Sequence, residues 1–283
     1  MKTRRLQRIG LGFIAPSLIG LLVFYIIPFF GSLYYTFTAG VAEKQFVGLQ
    51  NFVDLMGNPT FELAVKNTAL FMGIGVPLLM GLALLLSLLM LDSPFIAARW
   101  ALLTPLIVPI ASVVAGWQMM VGDGGLMNRA LTALGHLPVD VFAGEWAMGV
   151  AIALYVWKNL GYLVIILTSA MAAIPREYTE VFRLESGSRV KLAYKVTLPL
   201  ITPMLFFAVI IAVMNSFKTF REIYVLFGQN PPQTLYMLQH FMNNNFFKLN
   251  YQRLSTAAFL LTGVLFILIW VFLRWQNRYT RDL

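Results

Sequence analysis

Residues 174–203 read IPREYTEVFRLESGSRVKLAYKVTLPLITP and stand between two long apolar runs. Eight charges fall between Arg176 and Lys195, in a chain of 283 residues that is 59% hydrophobic and 12% charged. A water-soluble domain carries about a quarter of its residues as charges. The flanks of this stretch therefore belong in lipid, and the stretch itself belongs outside it. Ile174, Tyr178, Val181 and Phe182 recur at i, i+4, i+7 and i+8 and make one helical face, with Arg176, Glu177, Glu180 and Arg183 on the other. The pattern breaks at Ser186, Gly187 and Ser188. A glycine there can take the left-handed conformation that ends a helix, and Ser188 can cap a second one, expected from Arg189 until Pro199. The stretch predicts a helix, bend, helix element protruding from a membrane protein.

A bilayer core about 30 Å thick takes roughly 20 consecutive apolar residues to cross as a helix. Six runs qualify, at about 11–37, 67–91, 100–121, 147–170, 196–217 and 254–273. The first follows MKTRRLQR, but its apolar part far exceeds that of a secretory signal and no small-residue cleavage site follows, so it reads as a spanning helix. The whole of 1–283 is expected to be a single all-α integral membrane domain. Of the 21 Lys and Arg residues, the segments on the amino-terminal side of the membrane hold Lys2, Arg4, Arg5, Arg8, Arg99, Arg176, Arg183, Arg189, Lys191, Lys195, Arg274, Arg278 and Arg281. The opposite segments hold Lys44, Lys66, Arg129, Lys218, Arg221, Lys248 and Arg253. This imbalance places both termini and residues 174–195 in the cytoplasm. Pro16, Pro28, Pro77, Pro105 and Pro109 interrupt the spans; each removes a backbone hydrogen bond, which calls either for protein packing or a wet cavity there, or for ordinary tolerance by a spanning helix. Between 122 and 146, Leu126, Ala130, Leu131 and Leu134 at helical spacing predict a short interfacial helix.

Several classes of function are excluded. With no cysteine there is no disulfide, thiolate metal site or cysteine nucleophile. His136 and His240 lie far apart in expected outer loops, with no metal-ligand spacing, and read as isolated loop histidines. The net charge of +9 is explained by topology and not by nucleic acid. Apart from Lys158, the six runs hold no carboxylate, histidine or basic residue, which argues against ion-coupled transport and proton pumping. There is neither a catalytic cluster nor a GxxxxGK[ST] loop, so the chain is expected to be no enzyme and to bind no cofactor. Lys158 sits about eleven residues from either end of its run, too deep to reach a headgroup easily. It reads either as a donor facing a cavity or as a partner of backbone carbonyls between helices. Trp117, Gln118, Tyr155, Trp157, Asn159, Tyr162, Asn215 and Ser216 supply aromatic faces and polar groups in the third to fifth runs, the combination a sugar path needs, though each is also an ordinary packing or interface residue.

The stretch at 174–199 resembles the EAA loop of the membrane subunits of bacterial ABC importers: Glu-Ala-Ala, three residues, Gly, nine residues, Ile-x-Leu-Pro. Glu180 falls on the first glutamate, Val196 on the isoleucine, and Leu198 and Pro199 on the closing pair. Val181 and Phe182 replace the alanines, Glu185 stands where carbohydrate permeases usually have aspartate, and Ser186 takes the glycine position with Gly187 one residue later. FIAPSLIGLLVFYIIPFFGSLYYTFT, FVGLQNFVDL, FELAVKNTALF and YVWKNLGYLVIILTSAMAAIPREYTE are similar to sugar-type permeases of the maltose and glycerol-phosphate family, while FGQNPPQT departs from their Gly-Gly-Pro and Ser-Thr pattern. The resemblance implies a type I ABC importer permease fold with cytoplasmic coupling helices, in a bacterial plasma membrane. It also implies a second permease subunit as heterodimer partner, two ATPase subunits that use ATP and Mg, and a solute-binding protein outside. Glu180, Glu185, Gly187, Leu198 and Pro199 would then couple to the ATPase, and the solute would be a sugar or oligosaccharide. Two alternatives stand beside it. One is the same machine carrying a polyol or glycerol phosphate, which would call for more cations in the path than Lys158. The other is a non-transporting membrane scaffold, in which changing Glu180 would leave transport untouched.

Overall fold

The structure, a computed structural model, describes residues 2–40, 43–91, 96–142, 144, 146–185 and 187–281, with the side chains of 2–10, 96–100, 183, 185 and 277–281 outside that description. Five of its helices are long and apolar enough to cross a bilayer, or six if one bent pair counts as a span. The chain divides into two compact units, residues 1–62 with 241–265 and residues 63–240 with 266–283.

In the first unit, α1 (Lys2–Leu21) passes through a wide turn at Leu22–Ile26 into α2 (Ile27–Thr36). In that turn the Ile27 N–H donates to the Leu22 carbonyl, five residues back, immediately before Pro28. A proline has no N–H and its ring crowds the carbonyl four residues earlier, so a locally widened ladder relieves both problems. Pro16 and Pro28 are exposed, as is Pro77 further along the chain. After α2 comes a two-stranded antiparallel ribbon, β1 (Thr38–Ala39) with β2 (Gln45–Phe46), paired Thr38 to Phe46. The short α3 (Gln50–Met56) follows, and its Asn51 amide donates to the carbonyls of Thr36 and Thr38 at 2.9 and 3.0 Å. Phe61 and Phe241, both buried, meet at 5.3 Å between ring centres.

The second unit is built around α8 (Trp146–Ala172). Of the most apolar stretch of α8, 56% is buried, against 28% for α4 (Pro59–Met90) and none for Leu11–Thr36. Of these three runs α8 is the most covered by its own chain; the other two turn more apolar surface outward, as lipid or a partner protein requires. The α4 Ser87 hydroxyl donates to its own Ala83 carbonyl and shares its proton with Val164 of α8. Phe71 stands edge-on to Tyr155, with 5.4 Å between ring centres. The tightest approach is to α5 (Ile96–Ile107): a Cβ placed on Gly161 of α8 would fall on the Leu102 carbonyl. Small residues permit helix backbones to close in this way.

The third apolar run is not a straight span. Ala101–Ile107 and the segment from Ile110 to Ala133 meet at 113°. Pro109 has an extended backbone, φ −57° and ψ 144°, and a proline disfavours the helical state in the residue before it. The run therefore breaks at Val108, and α6 (Ile110–Val121) starts afresh. The short helix expected after it is present as α7 (Leu126–Ala133). Asn128 of α7, 3% exposed, pins the following loop, its amide donating to the Val139 carbonyl and its oxygen accepting from the Val139 N–H.

The protruding element consists of α9 (Arg176–Glu185) and α10 (Arg189–Leu192). The Ser188 hydroxyl accepts from the Lys191 N–H at the start of α10, as its capping position predicts. Ser186 lies outside the described residues. An added Cβ at Gly187 would meet nothing. Pro199 does not stop the second helix. Helical backbone continues from α10 through a second wide turn, Ala193–Thr197, into α11 (Leu198–Lys218), with the Leu198 N–H donating to Ala193 just ahead of Pro199.

Beyond α11 the helical run does not end at 217 as the apolar pattern suggested. It turns at Thr219 into α12 (Phe220–Phe227), which packs on α6. A loop with a short 3₁₀ turn then leads to α13 (Leu238–Phe247) and α14 (Tyr251–Arg281). Asn67 of α4 holds that loop by donating to the carbonyls of Gln233 and Tyr236 at 2.6 and 3.0 Å. His240 is fully buried, contrary to the reading of an isolated loop histidine. Its Nδ1 accepts from the Met237 N–H, and its ring lies 4.7 Å from that of Phe220 at 74°. Burial pushes its pKa down to about 4.

Candidate functional site

A cavity of about 430 Å³ is enclosed by the α5–α6 break, the middle of α8 and the α11–α12 turn. Each wall follows from a local feature already described. The proline-broken run supplies Leu106, Val108, Pro109 and Ile110; α8 supplies Lys158 and Asn159; the turn supplies Asn215, Lys218, Thr219, Arg221 and Glu222. Lys158 donates to Glu222 Oε1 across the cavity wall in an ion pair. The Lys158 side chain is 19% exposed and that of Glu222 only 4%. Glu222 Oε2 is buried with no hydrogen-bond partner. A lone carboxylate so placed would cost several kcal/mol in desolvation, which the ammonium offsets. Lys158 thus both borders a cavity and is paired, but its partner is a carboxylate and not the backbone carbonyls.

Of the nine residues read as a solute path, Lys158, Asn159 and Asn215 share this cavity. The Asn159 amide donates to the Tyr155 carbonyl one turn back, and Asn215 Oδ1 accepts from Lys218 Nζ at 3.0 Å. Tyr155 is 1% exposed and its hydroxyl donates to the Ala212 carbonyl at 2.7 Å, tying α8 to α11. Ser216 is likewise buried and donates to Val213 in its own helix. Neither borders the cavity. Trp117 and Trp157 meet edge to face, 6.1 Å apart, and Trp157 is 43% exposed. Gln118 lines a separate hollow with Asp123, Gly124 and Arg129, and Tyr162 is half-buried in α8. The sequence reading missed Lys218, Thr219, Arg221 and Glu222, because its apolar window closed at 217. A signal for Glu222 existed: a lysine at mid-span calls for an acidic partner, and only a short list of carboxylates flanks the runs.

At the protruding element, α9 turns Tyr178, Val181 and Leu184 outward, at 55, 62 and 90% exposure. Together with Phe182 and Val196, Tyr178 and Val181 border an open apolar hollow of about 510 Å³. Glu180 is exposed beside them and Gly187 beyond them, while Leu198 and Pro199 are half-buried at the start of α11. The Glu185 side chain lies outside the described residues.

Among the described residues no group of three metal ligands converges. A multi-span helical protein with an ion pair and polar cavity inside its helices, and an uncovered amphipathic helix at one end, is a membrane transport subunit. The chain belongs to the family described as binding-protein-dependent transport system inner membrane component, whose model matches residues 126–281. It is 28% identical to the trehalose/maltose transport system permease protein MalF of Thermococcus litoralis, over 98% of this chain and 96% of that one. It is 27% identical to the probable ABC transporter permease protein YesP of Bacillus subtilis, covering 86% of this chain and 82% of the relative. In fold it matches a chain of a bacterial alginate ABC transporter solved in complex with an alginate pentasaccharide-bound periplasmic protein, with a TM-score of 0.86 at 20% identity over 99% and 97% of the two chains. The fold is that of the ABC importer permeases, and the protein is a multi-pass membrane component of a transporter and not an enzyme.

Proposed function

We propose that this chain is one of two permease subunits that together line the path of an ATP-driven saccharide importer. The two are unlike and form a heterodimer. Two ATPase subunits, which bind ATP and Mg, dock beneath them, and a solute-binding protein delivers substrate from outside; this chain itself binds no cofactor. Both termini and the 174–199 element face the cytoplasm. The open apolar side of α9 carries this reading. Tyr178, Val181 and Leu184 are too exposed to serve the chain's own core, and an amphipathic helix in this state fits a groove on a soluble partner. Glu180 and Glu185 fix its register by charge, and Leu198 and Pro199 join it to the moving span. Gly187 contributes only the link between the two short helices. The saccharide assignment is supported by relatives named for trehalose and maltose, for arabinooligosaccharides and for alginate. Lys158, Asn159 and Asn215, with Glu222, face the solute; Gln118, Trp117, Trp157 and Tyr162 belong to surfaces along the path, and Tyr155 and Ser216 hold its walls.

The test is recovery of the tagged chain from its native membrane in mild detergent, with co-purifying proteins identified by mass spectrometry. A P-loop ATPase and a second six-span protein are expected. Leu184→Asp should lose the ATPase and keep the second permease. Recovery of an intact, monodisperse chain with neither companion would refute the importer and favour the scaffold.

A further inference from the structure

The cavity at the Lys158–Glu222 pair carries an unbalanced charge. Three cations and one carboxylate line it: Lys158, Lys218, Arg221 and Glu222. Glu222 is engaged by Lys158, which leaves Lys218 and Arg221 in excess. Both are exposed, three residues apart across the Thr219 turn. Lys218 Nζ contacts the neutral oxygen of Asn215, and among the described residues the only ion pair is the one between Lys158 and Glu222. The remaining walls are the aliphatic Leu106, Val108, Pro109 and Ile110 and the neutral polar Asn159, Asn215 and Thr219, and no aromatic ring lines the cavity among the described residues. Neutral sugars are usually gripped by stacking on aromatic faces with hydrogen bonds to hydroxyls. Here the faces are lacking and the charge is present. A guanidinium presents a planar fork that matches carboxylate, sulfate and phosphate oxygens two at a time. The volume of about 430 Å³ falls in the ordinary range for small-ligand sites, about 300–1,000 Å³.

We propose that this cavity recognises an acidic group on the transported saccharide, with Lys218 and Arg221 as the anion-binding pair. The proposal rests on the reading of the cavity as the solute path. It narrows that reading: sugar acids and sugar phosphates or sulfates fit, and neutral oligosaccharides do not.

Because the chain has no cysteine, a single reporter can be placed in the wall as Val108→Cys, in the complex purified with its co-isolating subunits. Its labelling would be followed by mass spectrometry of this chain. Two reagents of similar size and opposite charge are compared, sulfonatoethyl and trimethylammonioethyl methanethiosulfonate. Two cations lining the same cavity as the sulfur should make the anionic reagent react about tenfold faster or more, relative to the same thiol with Lys218→Gln and Arg221→Gln added. Trigalacturonate, glucose 6-phosphate and glucose 6-sulfate are then tested as protectants beside maltotriose. At least one acidic probe should slow labelling, and maltotriose should not.

Equal rates for the two reagents, or a faster cationic one, would overturn the charge assignment and leave the path reading standing. Protection by maltotriose, or by none of the acidic probes, would overturn the substrate class. No labelling by either reagent would show a cavity closed to water and remove the path reading along with the proposal. An anionic lipid headgroup offers the same chemistry as an acidic sugar, so the labelling is repeated in phosphatidylcholine nanodiscs with and without phosphatidylglycerol. Protection by phosphatidylglycerol and by no acidic saccharide would assign the cations to lipid and also overturn the proposal.

Discussion

Replacing Lys158 with methionine strands a carboxylate whose side chain is 4% exposed, whereas replacing Glu222 with glutamine leaves an ammonium that is 19% exposed and borders the cavity. The two halves of one ion pair should therefore be unequal. Removing one partner of a buried pair costs about 3–5 kcal/mol, and Lys158→Met should fall near the top of that range because the Glu222 side chain is only 4% exposed. Glu222→Gln should cost about 1–2 kcal/mol, since a flexible lysine can swing its head into the cavity. For a domain somewhat smaller than this chain, each kcal/mol lowers the melting temperature by about 2–4 °C. Lys158→Met is then expected to melt about 10–20 °C lower and Glu222→Gln about 2–8 °C lower. The double substitution removes both charges and should recover part of the Lys158→Met loss, with a coupling energy of about 2 kcal/mol. The assay is the tryptophan-fluorescence melting of the purified complex in detergent for all four forms, with uptake measured beside it. Lys158→Met should assemble and transport poorly. If Glu222→Gln proved as damaging as Lys158→Met, or the double no better than Lys158→Met alone, the reasoning from burial would be wrong.

Gly161→Ala should disrupt the α5–α8 contact, because the new methyl would meet the Leu102 carbonyl and backbone cannot yield cheaply; a fall of several degrees in melting temperature, or loss of assembled complex, is expected. Gly187→Ala, at a site with open space for the added methyl, should change neither melting nor uptake, and a marked defect would point to a conformational role for that glycine. The His240 pKa, lowered to about 4 by burial, makes stability pH-dependent. Its neutral form is favoured in the fold, so its contribution is whole above the unfolded value of about 6.5 and is lost as pH falls from there toward 4, by about 3 kcal/mol in all. Melting between pH 7 and 4.5 should show that loss in the parent and not in His240→Gln; parallel curves for the two proteins would reject it.

The apolar runs and the α9 helix could be read from the sequence because both are local periodic patterns, set by bilayer thickness and by the 3.6-residue turn. The capping role of Ser188 was legible for the same reason. The Lys158–Glu222 pair was not, since its members are 64 residues apart and nothing in either neighbourhood encodes their meeting. Hydropathy also set the end of the fifth run at the first charge, Lys218, although the helix turns at Thr219 and brings charged residues back against α8. Pro109 signalled a break that the apolar window averaged away. His240 looked like a loop residue because part of its burial comes from Phe220, which packs on it from an earlier helix, beside the neighbouring Tyr236.

The wide turns ahead of Pro28 and Pro199 also set angular phase. A helix advances by about 100° of rotation per residue, so a turn that accommodates one extra residue offsets everything before it by roughly that angle relative to everything after. At Ala193–Thr197 the offset lies between α10 and α11, and it fixes the compass direction in which the protruding element points for a given orientation of the span. Pro199 acts as the detent, since a regular ladder at that point would drive its ring into the carbonyl of Lys195. Without that ring the turn is free to tighten and the short helix to swing like a key turned one notch in its lock, while every side chain on it remains unchanged.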